Sequence, residues 1–174
     1  MPIRSSHRLL GRAAVAITLL AGPALCGCDP ASKTTSPAID KSKMALGNNP
    51  LYERLGGEPG IAAVVDDFVA RSSANPAVNF TRKGTPKEWQ ATTENVDHLK
   101  RMLVFMICQA AGGPHKYKGR DMRSVHEGMR ITDAEFDALA ADLRASLDKF
   151  QVPPREQEEL MAIVAGTRKD IVGQ

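Results

Sequence analysis

The sequence predicts an all-α fold, and three observations support this expectation. Apolar residues recur three or four positions apart over long stretches of residues 50–174, which is the spacing of an amphipathic helix. Glycine and proline stand between those stretches, where helices end and begin. No stretch shows the apolar–polar alternation that is typical of strands. A chain of 174 residues, 43% hydrophobic and 25% charged, is long enough for one domain with a substantial core.

Residues 1–27 predict a lipoprotein signal peptide. Three arginines precede an apolar run of 13 residues, Ala13–Leu25, which is shorter than the roughly 20 residues that a membrane-spanning helix needs. The run ends in Leu25-Cys26-Gly27-Cys28, which resembles a bacterial lipobox. We therefore expect cleavage before Cys28 and lipid on its thiol, which would place the protein in the cell envelope, on a membrane facing the periplasm or the exterior. The alternatives are an uncleaved anchor and a signal cut elsewhere.

The expected cleavage removes three of the 23 Lys and Arg residues and none of the 20 Asp and Glu residues, which leaves 20 of each. A chain without net charge has no global basic field, so we expect no nucleic-acid partner. Cys108 is then the one thiol left unmodified, which excludes a disulfide within the chain and a thiolate zinc site. Residues 28–49 are rich in Ser, Thr, Pro and Lys and predict a flexible tether before the domain at 50–174.

The first helices of the domain are bounded by glycine and proline. A short helix around Leu51–Leu55 is expected to stop at Gly56-Gly57. Pro59 suits the start of a longer helix, whose apolar face is predicted from its spacing. That face carries Ile61, Val64, Val65, Phe68 and Val69. Residues 72–93 are irregular, with Phe80 and Trp89 as candidate buried anchors.

The second half predicts two more long helices and a short one. A helix over Glu94–Ala111 should end at Gly112-Gly113-Pro114, and residues 120–129 leave room for only a short helix. Thr132-Asp133-Ala134-Glu135 is a capping box that opens an amphipathic helix reaching Phe150. After Val152-Pro153-Pro154, a last helix should run to Ile171. Helices of such unequal length do not make a symmetric four-helix bundle, so another group is expected to fill the centre.

Over residues 50–172 the chain resembles truncated haemoglobins, most closely those of group I. Three blocks carry the resemblance, in the family's order. They are the opening Leu51-Tyr52-Glu53-Arg54-Leu55-Gly56-Gly57, the block Gly112-Gly113-Pro114 with Tyr117, Gly119-Arg120, Met122 and His126, and the capping box with its helix over 132–150 followed by a proline-started helix. The second block is the most specific, because it matches the family's glycine turn, tyrosine and proximal histidine in both type and spacing.

The resemblance implies a 2-over-2 helical sandwich that holds haem, with His126 as the ligand of the iron. Haem is large, flat and apolar, and its iron needs one neutral imidazole. We expect a backbone carbonyl or a water to accept from the other ring N–H of that histidine. The chain has no Cys-x-x-Cys-His motif, so the expected cofactor is b-type haem. Tyr117 and Met122 belong to the same motif, Phe80 is the loose match to the phenylalanine that wedges against the haem, and Phe68 is expected to line the pocket.

The distal side departs from the family or leaves alternatives open. Val69 stands where many relatives place a tyrosine that hydrogen-bonds bound oxygen, so that donor is missing. Aligning backward from the glycine turn puts Leu99 and Leu103 over the iron. Aligning on Phe105 instead puts His98 and Met102 there and Arg101 at the rim. We favour the second register, because it supplies a polar distal residue and an arginine that can pair with a haem propionate.

Three functions are compatible with these features. The first is reversible binding of O₂, NO or CO at the haem iron of a lipid-anchored protein. The second is an enzyme with nitric oxide dioxygenase or peroxidase activity, served by an electron-donor reductase; the missing distal tyrosine counts against it. The third is a helical lipoprotein scaffold without haem. The first is the expectation, and a ligand-binding role is favoured over an enzymatic one.

Overall fold

The computed structural model describes residues 50–174, so the predicted signal peptide, the tether and Cys28 lie outside the described residues. Within 50–174 the chain forms seven helices, and its only β-feature is an isolated bridge between Ile131 and Val172. None of these helices is long and apolar enough to cross a membrane. The helices are α1 (Leu51–Arg54), α2 (Gly57–Ala74), α3 (Thr93–Ala110), α4 (Met122–His126), α5 (Asp133–Lys149), α6 (Pro154–Gly166) and α7 (Arg168–Ile171).

Helix α2 is the centre of the domain, because it packs against both α3 and α5, and α6 packs in turn against α5. The pair α2 and α3 and the pair α5 and α6 form the predicted 2-over-2 arrangement, and the all-α expectation is confirmed. Both pairs contribute aliphatic side chains to one core. Its most completely buried apolar members include Val65, Val69, Cys108, Leu147 and Leu160.

Polar contacts join helices across the core. Arg54 of α1 is buried and forms an ion pair of 2.6 Å with Glu156 of α6, and it also pairs with Glu159. Asp67 of α2 accepts a hydrogen bond of 2.8 Å from the hydroxyl of Ser146 on α5. A buried charge is stable only when it is paired, so these contacts fix which faces of the helices meet.

Three helix boundaries differ from the sequence prediction by more than one residue, and one of them is the end of α2 at Ala74, inside the segment 72–93 that was predicted to be irregular. Helix α2 begins at Gly57, two residues before Pro59, because Gly56 has a φ of 86° that turns the chain directly into the helix. The predicted last helix is two helices, α6 and α7. The Thr167 backbone N–H and hydroxyl both bond to the Val164 carbonyl, at 3.0 and 2.7 Å, and this local pairing interrupts the helix.

The glycine turn after α3 closes that helix onto α1. The N–H of Gly113 donates to the Cys108 carbonyl at 2.7 Å, and the N–H of Tyr52 donates to the Ala111 carbonyl at 2.8 Å. The ring of Tyr52 lies where a side chain at position 113 would begin. The turn therefore needs glycine for space, and it directs the chain from α3 toward α4.

Candidate functional site

The candidate ligand, His126, is the last residue of the five-residue helix α4. Asp121 caps this helix: its carboxylate accepts from the Ser124 N–H at 2.9 Å and from the Ser124 hydroxyl at 2.7 Å. The N–H of Met129 donates to the His126 carbonyl at 2.9 Å and closes the turn that follows. Both ends of the short helix are therefore held by local hydrogen bonds.

The imidazole of His126 has the tautomer and the protonation state that a metal ligand needs. Its Nδ1 lies 2.7 Å from the Met122 carbonyl oxygen. A carbonyl can only accept, so Nδ1 carries the proton and Nε2 keeps its lone pair. Burial lowers the pKa of His126, and the positive charge of Arg82 lowers it as well, against the opposing effect of the Met122 hydrogen bond. The ring is therefore neutral near pH 7, which is the form that coordinates iron.

One face of α3 offers an apolar surface. Leu99, Met102, Leu103 and Met106 are each half-buried, and their spacing of three and four places them on one side of the helix. Leu103 and Met106 pack against the core, and Leu99 and Met102 extend the same face toward the start of the helix. A continuous apolar face of this kind can line a slot for a flat hydrophobic ligand.

The residues of α3 that were predicted for the distal side differ in exposure. His98 and Arg101 are exposed, whereas Leu99 and Met102 are half-buried, and His98 and Met102 lie one turn apart on the same side of the helix. The choice between the two distal registers stays a prediction. Leu99 and Leu103 belong to one register and Met102 to the other, and all three are half-buried, so exposure does not separate the two registers.

The aromatic and aliphatic candidates before α3 are placed as follows. Phe68 and Val69 of α2 are both buried in the core. Phe80 is half-buried and packs against that core, with its ring centroid 5.3 Å from that of Trp89. The Trp89 indole N–H donates to the Phe80 carbonyl at 2.9 Å, so Trp89 holds Phe80 in place.

Tyr117 shapes the loop that leads to α4. Its N–H donates to the Gln109 side-chain oxygen at 2.8 Å, and its hydroxyl donates to the Arg120 carbonyl at 3.1 Å. The ring covers Gly119 so closely that a Cβ there would clash with it. Tyr117 and Gly119 therefore act together in setting the path of the chain. Met122, also predicted from the motif, is half-buried and contributes the carbonyl that binds His126.

Two residues near His126 were not predicted. Asp121 could have been found from the Asp-x-x-Ser spacing at the start of α4, which is a helix-capping pattern. Arg82 is only 6% exposed and donates to the Met129 carbonyl, 47 residues along the chain. No local signal in the sequence predicts so distant a contact.

The residues that are present fit haem. A neutral imidazole with a free Nε2 can supply the iron ligand, and the apolar face of α3 is suited to a flat hydrophobic group. Helix α4 packs against α7, and four of its five residues are only half-buried, which leaves them surface with which to contact such a group.

Comparisons with known proteins agree with this assignment. The bacterial-like globin family matches residues 50–172. The chain is 33% identical over 124 residues to a group 1 truncated hemoglobin of Tetrahymena pyriformis, covering 71% of this chain and 95% of that protein. It is 31% identical to the group 1 truncated hemoglobin GlbN of Mycolicibacterium paratuberculosis, covering 70% of this chain and 82% of that protein.

Solved structures give the same result. The crystal structure of the Tetrahymena pyriformis truncated hemoglobin in the Fe(III) form superimposes with a TM-score of 0.62 and 30% identity, covering 72% of this chain and all of that one. The 2/2 hemoglobin from Synechococcus sp. PCC 7002 superimposes with a TM-score of 0.62 and 26% identity, with the same coverage. The chain therefore belongs to the bacterial-like globin family as a truncated 2/2 globin, and it binds diatomic gases at a haem iron.

Proposed function

We propose that the protein is a lipid-anchored globin of the cell envelope that holds b-type haem through Nε2 of His126 and binds O₂ or another diatomic gas reversibly. The hydrogen bond of 2.7 Å from Nδ1 to the Met122 carbonyl carries the haem-binding part of this proposal, because it fixes the tautomer that a haem ligand requires. When bound, haem supplies the iron at which the gas is held.

The chain's own residues have three roles in this proposal. The Met122 carbonyl orients the imidazole and makes it a better electron donor. The apolar face of α3, with Leu99, Met102 and Leu103, excludes water from the ligand side. Val69 provides no hydrogen-bond donor, so a polar bound gas loses a contact worth roughly 1–3 kcal/mol, and faster release follows.

Absorption spectra of the ferric, ferrous and ferrous–CO forms test the iron ligand. We expect His126→Ala to lose the wild-type spectrum and to regain it when free imidazole is added. His115→Ala is the matched control, since this half-buried histidine pairs with Glu58 at 3.0 Å and stacks on Phe105. An unchanged ferrous–CO spectrum in His126→Ala would overturn the assignment.

The distal register is tested by the rates at which CO and O₂ dissociate. We expect Leu99 to lie over the iron, because it continues the apolar face of α3 that includes Leu103, so His98→Leu should leave both rates unchanged. Leu99→His should slow the release of O₂, because it would place a hydrogen-bond donor beside the bound gas. The opposite pattern would place His98 over the iron.

The membrane anchor is supported by the sequence pattern at Leu25–Cys28 alone. Two acyl chains bind a membrane stably, whereas one chain binds only marginally. We expect Cys28→Ala to move the protein out of the membrane fraction. Cys26→Ala should change nothing, because residue 26 is removed with the signal peptide. A Cys28→Ala protein that still fractionates with membranes would contradict the anchor.

A further inference from the structure

Arg82 connects the irregular segment between α2 and α3 to the chain that follows His126. Its Nε and Nη2 donate to the Met129 carbonyl at 3.1 and 2.8 Å. Its Nη1 donates to Glu135 Oε1 at 3.0 Å and to the Val78 carbonyl at 3.3 Å. One nearly buried guanidinium therefore binds its own segment, the turn after α4 and the first turn of α5.

Met129 transmits this contact to the candidate ligand. Its carbonyl accepts from Arg82, and its N–H donates to the His126 carbonyl at 2.9 Å. A second residue of the same segment covers the turn: the side chain of Lys87 passes 3.2 Å from the place where a Cβ on Gly128 would lie. The turn at 127–130 is thus held from the 75–92 segment, and His126 is bonded directly to it.

The contact is costly to remove. Arg82 is 6% exposed and Glu135 is half-buried, so loss of the guanidinium leaves a carboxylate without its cation and the Met129 carbonyl without its donors. Arg82 also has a φ of 54°, in the left-handed region that a residue with a side chain adopts only when its surroundings impose it.

We propose that Arg82 is a positioning residue that sets the orientation of His126 toward the haem iron by fixing the turn at 127–130. Phe80, two residues earlier, lies on the same segment, so this contact also joins the two sides of the proposed haem slot. The inference rests on the proposed role of His126 as the iron ligand.

The test compares full-length holoproteins carrying Arg82→Met, Arg82→Lys and the control Arg54→Met. Arg54 is a suitable control because it is also a buried arginine paired with carboxylates, and its ion pairs join α1 to α6. Three quantities are measured: the iron–imidazole stretching frequency by resonance Raman spectroscopy, the rate of haem transfer to apomyoglobin, and hydrogen exchange at the Met129 amide.

We expect Arg82→Met to shift the iron–imidazole band, to speed haem transfer by about tenfold, and to increase exchange at the Met129 amide. Arg82→Lys should show a smaller change in each of the three quantities than Arg82→Met, since one ammonium cannot reach Met129, Val78 and Glu135 together. Arg54→Met should lower the melting temperature and leave the band and the Met129 exchange unchanged.

Each failure has its own signature. If the wild-type protein shows the iron–imidazole band and Arg82→Met does not shift it, the positioning role is overturned and His126 remains the ligand. If the wild-type protein shows no iron–imidazole band that depends on His126, both the positioning role of Arg82 and the assignment of His126 as the iron ligand are overturned. If Arg82→Met does not fold, Glu135→Gln is used in its place, because it keeps the acceptor that caps α5 and removes the charge that pairs with Arg82. It should shift the band in the same direction by a smaller amount, and an unchanged band overturns the positioning role.

Discussion

Replacement of Gly113 by alanine tests whether the glycine turn is required for space. A Cβ at this position would lie 2.5 Å from the Tyr52 ring and 2.8 Å from the Cys108 carbonyl oxygen. Neither group can move freely, because the Cys108 carbonyl accepts from the Gly113 N–H, and Tyr52 packs against the core with its backbone N–H bonded to the Ala111 carbonyl. Forcing extra volume into such a site costs about 1–3 kcal/mol. The reduced entropy of the unfolded chain returns roughly 0.4–1 kcal/mol.

The net expectation is that the free energy of unfolding of the holoprotein falls by about 1–2 kcal/mol. Urea unfolding, followed by circular dichroism and compared at equal m-value, measures the change. Gly166→Ala is the matched control: it lies at the end of α6, and nothing stands within 4 Å of its added Cβ. The control should be neutral or gain several tenths of a kcal/mol, roughly 0.4–1. A Gly113→Ala protein as stable as the control would refute the reasoning.

Three further outcomes follow from single side chains. Burial opposes ionisation of Asp67, but hydrogen bonds from two cations and a serine outweigh it and lower its pKa from 3.8 to about 2. The stability that the ionised carboxylate contributes is complete above about pH 4 and is lost as the pH falls toward 2. Asp67→Asn should therefore flatten the acid limb of a stability–pH curve. Burial raises the pKa of the Cys108 thiol to about 11, and the side chain is fully buried. A thiol reagent at pH 8 should therefore react with Cys108 only at the rate at which the domain unfolds. Thr132→Ala removes the acceptor at the start of α5 and should cost about 1 kcal/mol in urea unfolding.

The sequence predicted the parts of the fold that depend on local chemistry. The capping box at Thr132 and Glu135 is present with both of its hydrogen bonds. The ends of α3 and α5 were predicted to within one residue, because caps, glycine and proline act on neighbouring backbone groups. The start of α2 was misplaced because Gly56 adopts a positive φ, which the sequence permits but does not require.

The candidate site was predictable only in part, for the same physical reason. His126 and Tyr117 are found from a motif whose members lie close together in sequence. The partner of Nδ1 was expected to be a carbonyl or a water, and the structure identifies the Met122 carbonyl. Arg82 could not be anticipated, since its partners Met129 and Glu135 are 47 and 53 residues away and depend on how the helices pack.

The position of His126 therefore depends on contacts of two kinds. The Asp121 cap and the Met122 carbonyl lie within or next to α4, and they can form as soon as this helix does. A helix of five residues is not stable by itself in water, so these local bonds cannot hold the imidazole in place. The contact from Arg82 to Met129 exists only in the folded domain. Haem retention should for this reason depend on residues far from α4 in sequence, and those that fix the turn after His126 should affect it more than those that only add stability.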